Sequence, residues 1–297
     1  MPPNVYVIVR RETGSVGEFL SSGTFDLFIL VNVLLAAGWY AWAVRRVRRS
    51  GSWARRSSTC TYTGLALLAM IYLGPIAAWS HTFFWAHMTQ HLIVMMVVAP
   101  LLVLGNPVTL AFRASSPASR RRWVVPILRS RAVRILTNPW VTWVLFAGAL
   151  LLTHFTPFYD AALQNHDLDY FGEQPLYLIA AFLFYFPLIG SNLQPKRPTH
   201  AVRLLSLGTM MFPEALVGAV IYFASVPLYP AFDTVRPFGP SVLDDQRLSG
   251  ALMWALVMVV DSGWMMLAAA EWFTSEERKS AGTDAEIARE LAEQAQP

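Results

Sequence analysis

Phe84, His87, Met88, His91 and Met95 share one face of a helix over the segment 83–105. At about 100° per residue they lie within roughly a third of its circumference. Imidazoles one turn apart can both direct a ring nitrogen at one ion, and the methionines add soft sulfur to the same stripe. Imidazole suits copper in either oxidation state, and thioether favours the monovalent form. Surroundings poor in carboxylate and free of thiolate fit copper better than zinc, calcium or magnesium. Two other readings fit the same stripe. The histidines could hydrogen-bond to neighbouring helices while the methionines fill space. Alternatively a haem could be held, with His154 as the opposite axial ligand.

A second set of polar groups lies deeper. Glu214 and Asp261 fall inside apolar segments, where a charge is costly, so such residues face the interior and are paired, protonated or functional. No lysine or arginine lies deep in any apolar segment to neutralise them. Neutral acids donating hydrogen bonds are one reading, and a proton or cation route is the other.

These residues must be positioned by helices in lipid. Of 297 residues, 55% are apolar and 14% charged, against about a quarter charged in a soluble domain. The mean hydropathy is +0.42. Seven segments of about twenty mostly apolar residues, 24–44, 62–80, 83–105, 138–157, 173–194, 203–226 and 247–273, are each long enough to span a bilayer. The expected fold is an all-α integral membrane protein, a seven-transmembrane-helix bundle over 24–273 with an N-terminal segment 1–23 and a tail 274–297. No cleavable signal is evident in the first 23 residues. The second and third segments, two or three residues apart, predict a tight hairpin. Pro75, Pro100, Pro187 and Pro213 predict kinks. Thr283 followed by Glu286 predicts a short separate helix over 284–294.

The net charge of +4 suggests nucleic acid only until the basic residues are mapped. Arg45, Arg46, Arg48, Arg49, Arg55 and Arg56 occupy the first connection. Arg113, Arg120, Arg121, Arg122, Arg129, Arg131 and Arg134 occupy the third, and Lys196, Arg197 and Arg203 the fifth. The other three connections hold only Arg236 and Arg247. This alternation places the N-terminus outside and the C-terminus in the cytoplasm. The basic runs then set topology and touch anionic membrane lipid, with no nucleic acid as partner. The connection 114–134 is either an interfacial helix or a solvated basic loop. With this topology, His81, His87, His91, His154 and His166 gather at the outer end, and only His200 is cytoplasmic. Glu173, Asp245, His81 and His166 could attract an ion there or orient a ligating ring.

Several classes are excluded. Cys60 is the only cysteine, so neither a disulfide within the chain nor a thiol-based copper chaperone is supported. Lys196 and Lys279, both cytoplasmic, cannot form a buried retinal Schiff base. No phosphate-binding glycine loop, Ser–His–acid order or zinc-protease motif is present, so an enzyme has little support.

The chain resembles the seven-span CtaG-type cytochrome c oxidase assembly proteins across 24–273. The likeness rests on His87-Met88-Thr89-Gln90-His91, then Ala99-Pro100-Leu101-Leu102 and Leu104-Gly105-Asn106-Pro107. Thr153-His154-Phe155-Thr156-Pro157-Phe158-Tyr159, Asp245-Gln246-Arg247-Leu248-Ser249-Gly250 and Met253-Trp254 follow in order. The resemblance implies a bacterial plasma-membrane protein that matures a haem–copper terminal oxidase, through copper handling at its outward-facing subunit. It carries that role to His87, His91 and His154. A metal-free scaffold or oxidase-associated subunit, and a copper or proton transporter, are the alternatives. The chain departs from the family pattern where an acid–histidine pair would open the fifth span. Here Glu173 is followed by Gln174 and Pro175, so one imidazole is missing unless His166 replaces it.

Overall fold

The computed structural model describes residues 22–190, 193–233 and 239–294, except the side chains of His166, Ala285 and 288–294. The N-terminal segment before residue 22 and Arg236 therefore lie outside the described residues. Helices account for almost all of the structure, and no strand occurs among the described residues. In chain order the principal helices are α1 (Leu27–Arg48), α2 (Arg55–Leu73), α3 (Pro75–Trp79), α4 (Phe84–Ile93), α5 (Ala99–Leu104) and α6 (Pro107–Ala114). They continue with α7 (Pro139–Phe155), α8 (Phe158–Gln164), α9 (Gln174–Leu188), α10 (His200–Phe223) and α11 (Val242–Gln294).

Among the described residues, five helical stretches are long and apolar enough to cross a membrane: Leu27–Arg48, Arg55–Trp79, Phe84–Ala114, His200–Phe223 and Val242–Asp284. A sixth arises if α7 and α8, bent by 70°, are taken as one span. The remaining segment of the expected seven, 173–194, forms the 15-residue α9, preceded by a π-helical turn Asp169–Glu173. Burial follows the pattern of a lipid-embedded bundle. Leu35, Leu152, Phe212, Val259 and Met266 are all more than 60% exposed, while His87, Gln90, His91, Glu173, Arg203, Glu214, Asp245 and Asp261 are buried. Several apolar helices with polar interiors describe a membrane protein.

In such a bundle each backbone group freed by a proline must find a protein partner. Pro100 has no N–H to offer the carbonyl of Met96, four residues earlier. The helix relaxes there into a π-helical turn, Val94–Val98, and the indole of Trp264 on α11 donates to Met96 O at 2.9 Å. Pro75 likewise leaves the Ile71 carbonyl open, and Gln90 Nε2 on α4 donates to it at 3.2 Å. Thr24 closes the same helix end, its hydroxyl donating to Tyr72 O at 3.0 Å and its N–H to Leu73 O at 3.2 Å. Two prolines thus become cross-ties between helices.

Close approaches complete the packing. A Cβ on Gly250 would stand 2.6 Å from Tyr222 N, so glycine lets α11 lie directly on α10. A Cβ on Gly105 would meet Thr61 Oγ1 at 2.1 Å, and the next residue, Asn106, turns left-handed (φ 54°) to start α6 at Pro107. The expected hairpin between the second and third segments is present at Ser80–Phe83. The connection 114–134 is largely helical, through Pro117–Ser119, a π turn Arg120–Val124 and Val125–Leu128, with Trp123 and Ile127 exposed.

One expectation is overturned. No separate helix begins near 284, because α11 runs unbroken to Gln294. Thr283 Oγ1 donates back to Lys279 O at 3.1 Å, so it serves a helix interior and not a cap.

Trp264→Phe should leave Met96 O without a partner and cost about 1–3 kcal/mol of stability. In a Pro100→Ala background, which restores the missing N–H, the same change should cost much less. Thermal unfolding of the four proteins in detergent checks this, and equal losses in both backgrounds would contradict it.

Candidate metal centre

The stripe on α4 is aimed by its first turn. Phe84 and Trp85 carry N–H groups with no partner inside the helix, and the carboxylate of Asp245 accepts both, at 2.8 and 2.9 Å. Asp245 comes from α11, some 160 residues away in sequence, and is wholly buried. The neighbouring Gln246 ties the preceding loop: its Oε1 accepts from Leu228 N at 2.7 Å, and its Nε2 donates to Val226 O at 3.1 Å. Ser249 Oγ donates to Asp245 O at 2.7 Å. The Asp245–Gly250 motif is therefore a clamp on the start of the histidine helix.

His87 and His91 turn inward and are buried, their Nε2 atoms facing each other at 2.6 Å. Two imidazole lone pairs cannot face each other at that separation. At that separation one ring donates its proton to the other's lone pair, and an ion held by both at the usual ~2.0 Å would sit to one side of the line joining them. The third member is Glu173, the last residue of the π turn before α9. Its Oε1 lies 3.6 Å from His91 Nε2, and the Tyr177 hydroxyl, one helical turn on, is its hydrogen-bonding neighbour. His87, His91 and Glu173 each present a ligand atom within 4.8 Å of the others. A fully buried carboxylate beside two ring nitrogens, with no arginine or lysine against it, fits a cation.

His154 stands at the edge of this cluster. Its Nδ1 lies 2.9 Å from Leu150 O, which can only accept, so Nδ1 carries the proton and Nε2 carries the lone pair. That Nε2 is buried and without a partner among the described residues. Such a backbone-anchored ring is the form in which histidine ligates metals. The 70° bend at Thr156-Pro157 returns Tyr159 onto the His154 ring, stacked at 4.9 Å. Tyr159 also meets the His87 ring at 5.5 Å, and its hydroxyl donates to Met88 Sδ at 3.8 Å.

Two further tyrosines close the chamber. Tyr177, one turn after Glu173, packs on His91 at 4.6 Å and bonds Thr153 Oγ1 at 2.5 Å. Tyr229 donates to His154 O at 3.2 Å. Burial raises the Tyr229 phenol above its ordinary range, with the nearby Glu173 charge adding to the effect, so its hydroxyl stays protonated and able to donate. Phe84 and Phe232 stack at 4.9 Å over the top.

The structure thus brings together His87, His91 and Glu173, with His154 and Met88 joined to them through Tyr159. Sequence reasoning had set Glu173 among the outer acids. The i, i+4 pair Glu173–Tyr177 is the signal that could have placed it inside. Met95 is buried one turn beyond His91, at the π-helical segment. His81 is half exposed, with its Nε2 3.7 Å from Asp169 Oδ2. Gln174, at the departure from the family pattern, donates to Asp169 Oδ2 at 3.1 Å. His166 begins a short turn, His166–Leu168, and its side chain lies outside the described residues. Asp245 spends both oxygens on the helix start. The deep acids form their own group: Glu214 and Asp261 are hydrogen-bonded to each other, and Tyr185 donates to Asp261 Oδ1 at 2.9 Å.

Asp245→Ala should free two buried amides and destabilise the fold by about 1–3 kcal/mol. Asp245→Asn, which retains one acceptor, should lose less. Unfolding midpoints check the order, and an Asn variant as damaged as Ala would contradict it.

The chain matches the family described as cytochrome c oxidase caa3 assembly factor over residues 38–275. Relatives of uncharacterised function in Mycobacterium bovis and Mycobacterium tuberculosis are each 29% identical over 254 residues, 82% of this chain. One in Mycobacterium leprae is 26% identical over 253 residues. The chain spans 38% of the length of each of these relatives. No solved structure matches it. With the family pattern covering all but the two ends of the described helices, the chain belongs to the cytochrome c oxidase caa3 assembly factor family.

Proposed function

We propose that this chain handles copper during maturation of a haem–copper cytochrome c oxidase, holding the ion at His87, His91 and Glu173. The observation that carries the reading is convergence: the two ring nitrogens and the buried Glu173 carboxyl each offer a ligand atom within 4.8 Å of the others. Two imidazoles and a carboxylate bind several divalent metals, and copper stands highest in affinity among the first-row ions. Release to a client needs an exchangeable donor. The Met88 sulfur, held by Tyr159, and the His154 ring, stacked on it, are the soft and borderline groups adjacent to the three.

The same proposal counts α7 with α8 as one span and α9 as another, giving seven. The arginine-rich connections then face the cytoplasm, and the centre lies near the outer face of a bacterial plasma membrane. The partners are subunits of the oxidase, and the role is non-catalytic. A transporter is the second reading, favoured by the buried Glu214–Asp261 pair under Tyr185. It predicts copper or proton uptake into liposomes that disappears with Asp261→Asn.

Metal analysis after loading with copper decides the main reading. The wild-type chain should retain one ion, and His87→Ala/His91→Ala should retain none. Glu173→Gln should weaken binding by at least about tenfold, the scale of losing a ligand or its support. Met88→Leu should keep the stoichiometry. Unchanged stoichiometry in the double histidine variant would remove the site. Co-purification with oxidase and no metal would favour a scaffold, and a Soret band would favour haem.

A further inference from the structure

A second polar site lies at the opposite end of the bundle. Along α4 and α5 the chain runs about 13 residues from His91, and about 17 from His87, to Leu104, or roughly 20–25 Å at ~1.5 Å per residue. There a cavity of about 920 Å³ opens between the ends of α2, α5, α9 and α10 and the flank of α11. Its volume matches the upper range of small-molecule sites.

The charge of this cavity is unbalanced. Arg56, Arg197, Arg203, Arg278 and Lys279 line it, and Glu271 is the one acid among its lining residues. Arg203 is buried to 1% exposure, an unusual place for a guanidinium. Its Nη2 donates to Glu271 Oε2 at 2.7 Å and its Nε donates to Leu188 O, capping the end of α9. Arg197 Nη2 approaches the same Glu271 oxygen at 3.6 Å. One carboxylate therefore serves two guanidinium groups. Lys279 is matched by Glu276 at 2.8 Å, outside the lining. Arg56 and Arg278 form no ion pair among the described residues and are exposed at the mouth. Ser57 and Thr274 add hydroxyls, while Leu104, Ile189 and Leu267 make one wall apolar.

A concave site with excess arginine charge concentrates anions, and guanidinium groups match phosphate oxygens in pairs. An apolar wall beside a basic mouth is also the arrangement that seats a lipid headgroup between helices. We propose that this cavity binds a phosphate-bearing anion, such as the headgroup of an anionic phospholipid, between Arg56, Arg278 and the Arg197–Arg203 pair. The site is independent of the metal centre and needs none of its residues.

The test uses the full chain purified in detergent. Native mass spectrometry would measure binding of phosphatidylglycerol and phosphatidylcholine, with inorganic phosphate titrated in parallel. Phosphatidylglycerol should bind more tightly than phosphatidylcholine. Arg56→Gln/Arg278→Gln, two exposed substitutions, should weaken it by about fivefold per arginine, the scale of a basic side chain at an anionic surface. Glu271→Gln, which releases the buried pair, should strengthen it. If inorganic phosphate displaces the lipid with the same dependence on Arg56 and Arg278, the free anion is the source and the site stands. Equal binding of both lipids and no phosphate binding would overturn the proposal. So would an Arg56/Arg278 variant that binds like wild type. Copper retention should be unchanged in these variants, which separates failure here from failure at the histidines.

Discussion

Backbone groups that lipid cannot satisfy govern the architecture. A helix interrupted by proline, or starting beneath the surface, leaves carbonyls and amides that cost free energy unless another part of the chain reaches them. Here four such places are met by a side chain from another helix: Trp264 on Met96 O, Gln90 on Ile71 O, Asp245 on the amides of Phe84 and Trp85, and Arg203 on Leu188 O. Three of the four contacts converge on the stretch from Phe84 to Val98. The element that carries both histidines is therefore tied to both α2 and α11, and it cannot rotate without breaking those contacts.

Rigid ties explain how a polar chamber survives in an apolar interior. Burying two imidazoles and a carboxyl is unfavourable unless their geometry is enforced, and the tyrosines that surround them supply both shape and donors. Tyr159, Tyr177 and Tyr229 link α4, α7, α9 and the loop before α11 around one point. A π turn, Asp169–Glu173, leads into α9, and Glu173 shares a face with Tyr177 four residues on. A centre assembled from four separate segments demands the whole bundle.

Much of this was legible from residue order. Helix placement followed from apolar length, and the inward stripe from i, i+4 spacing, because both are properties of a single helix. The extension of α2 back to Arg55 escaped notice because polar Ser57, Ser58 and Thr59 resemble a loop by composition alone. Glu173, expected to attract an ion or orient a ligating ring, lies 3.6 Å from His91 Nε2, a distance between separate helices that its own segment does not encode. Asp245 looked like an ion-attracting acid, yet it faces two amides whose partner only the tertiary fold reveals. Thr283 with Glu286 has the form of a cap, but nothing interrupts α11 before it, so the hydroxyl turns back onto the helix. Spacing reports one helix well, and it is silent on which distant group completes it.

The two ends of the bundle follow opposite electrostatic logic. At one, a carboxyl group is buried beside two ring nitrogens. At the other, two guanidinium groups share one carboxylate. The α4–α5 stretch and α9 each run from the first site to the second, Glu173 preceding α9 at the histidine cluster and Leu188 closing it on Arg203. A helix so pinned at both ends resists sliding along its axis. The histidine cluster is instead closed from the side by the loop before α11, whose Phe232 meets the His87 ring at 5.9 Å and whose Tyr229 donates to His154 O at 3.2 Å.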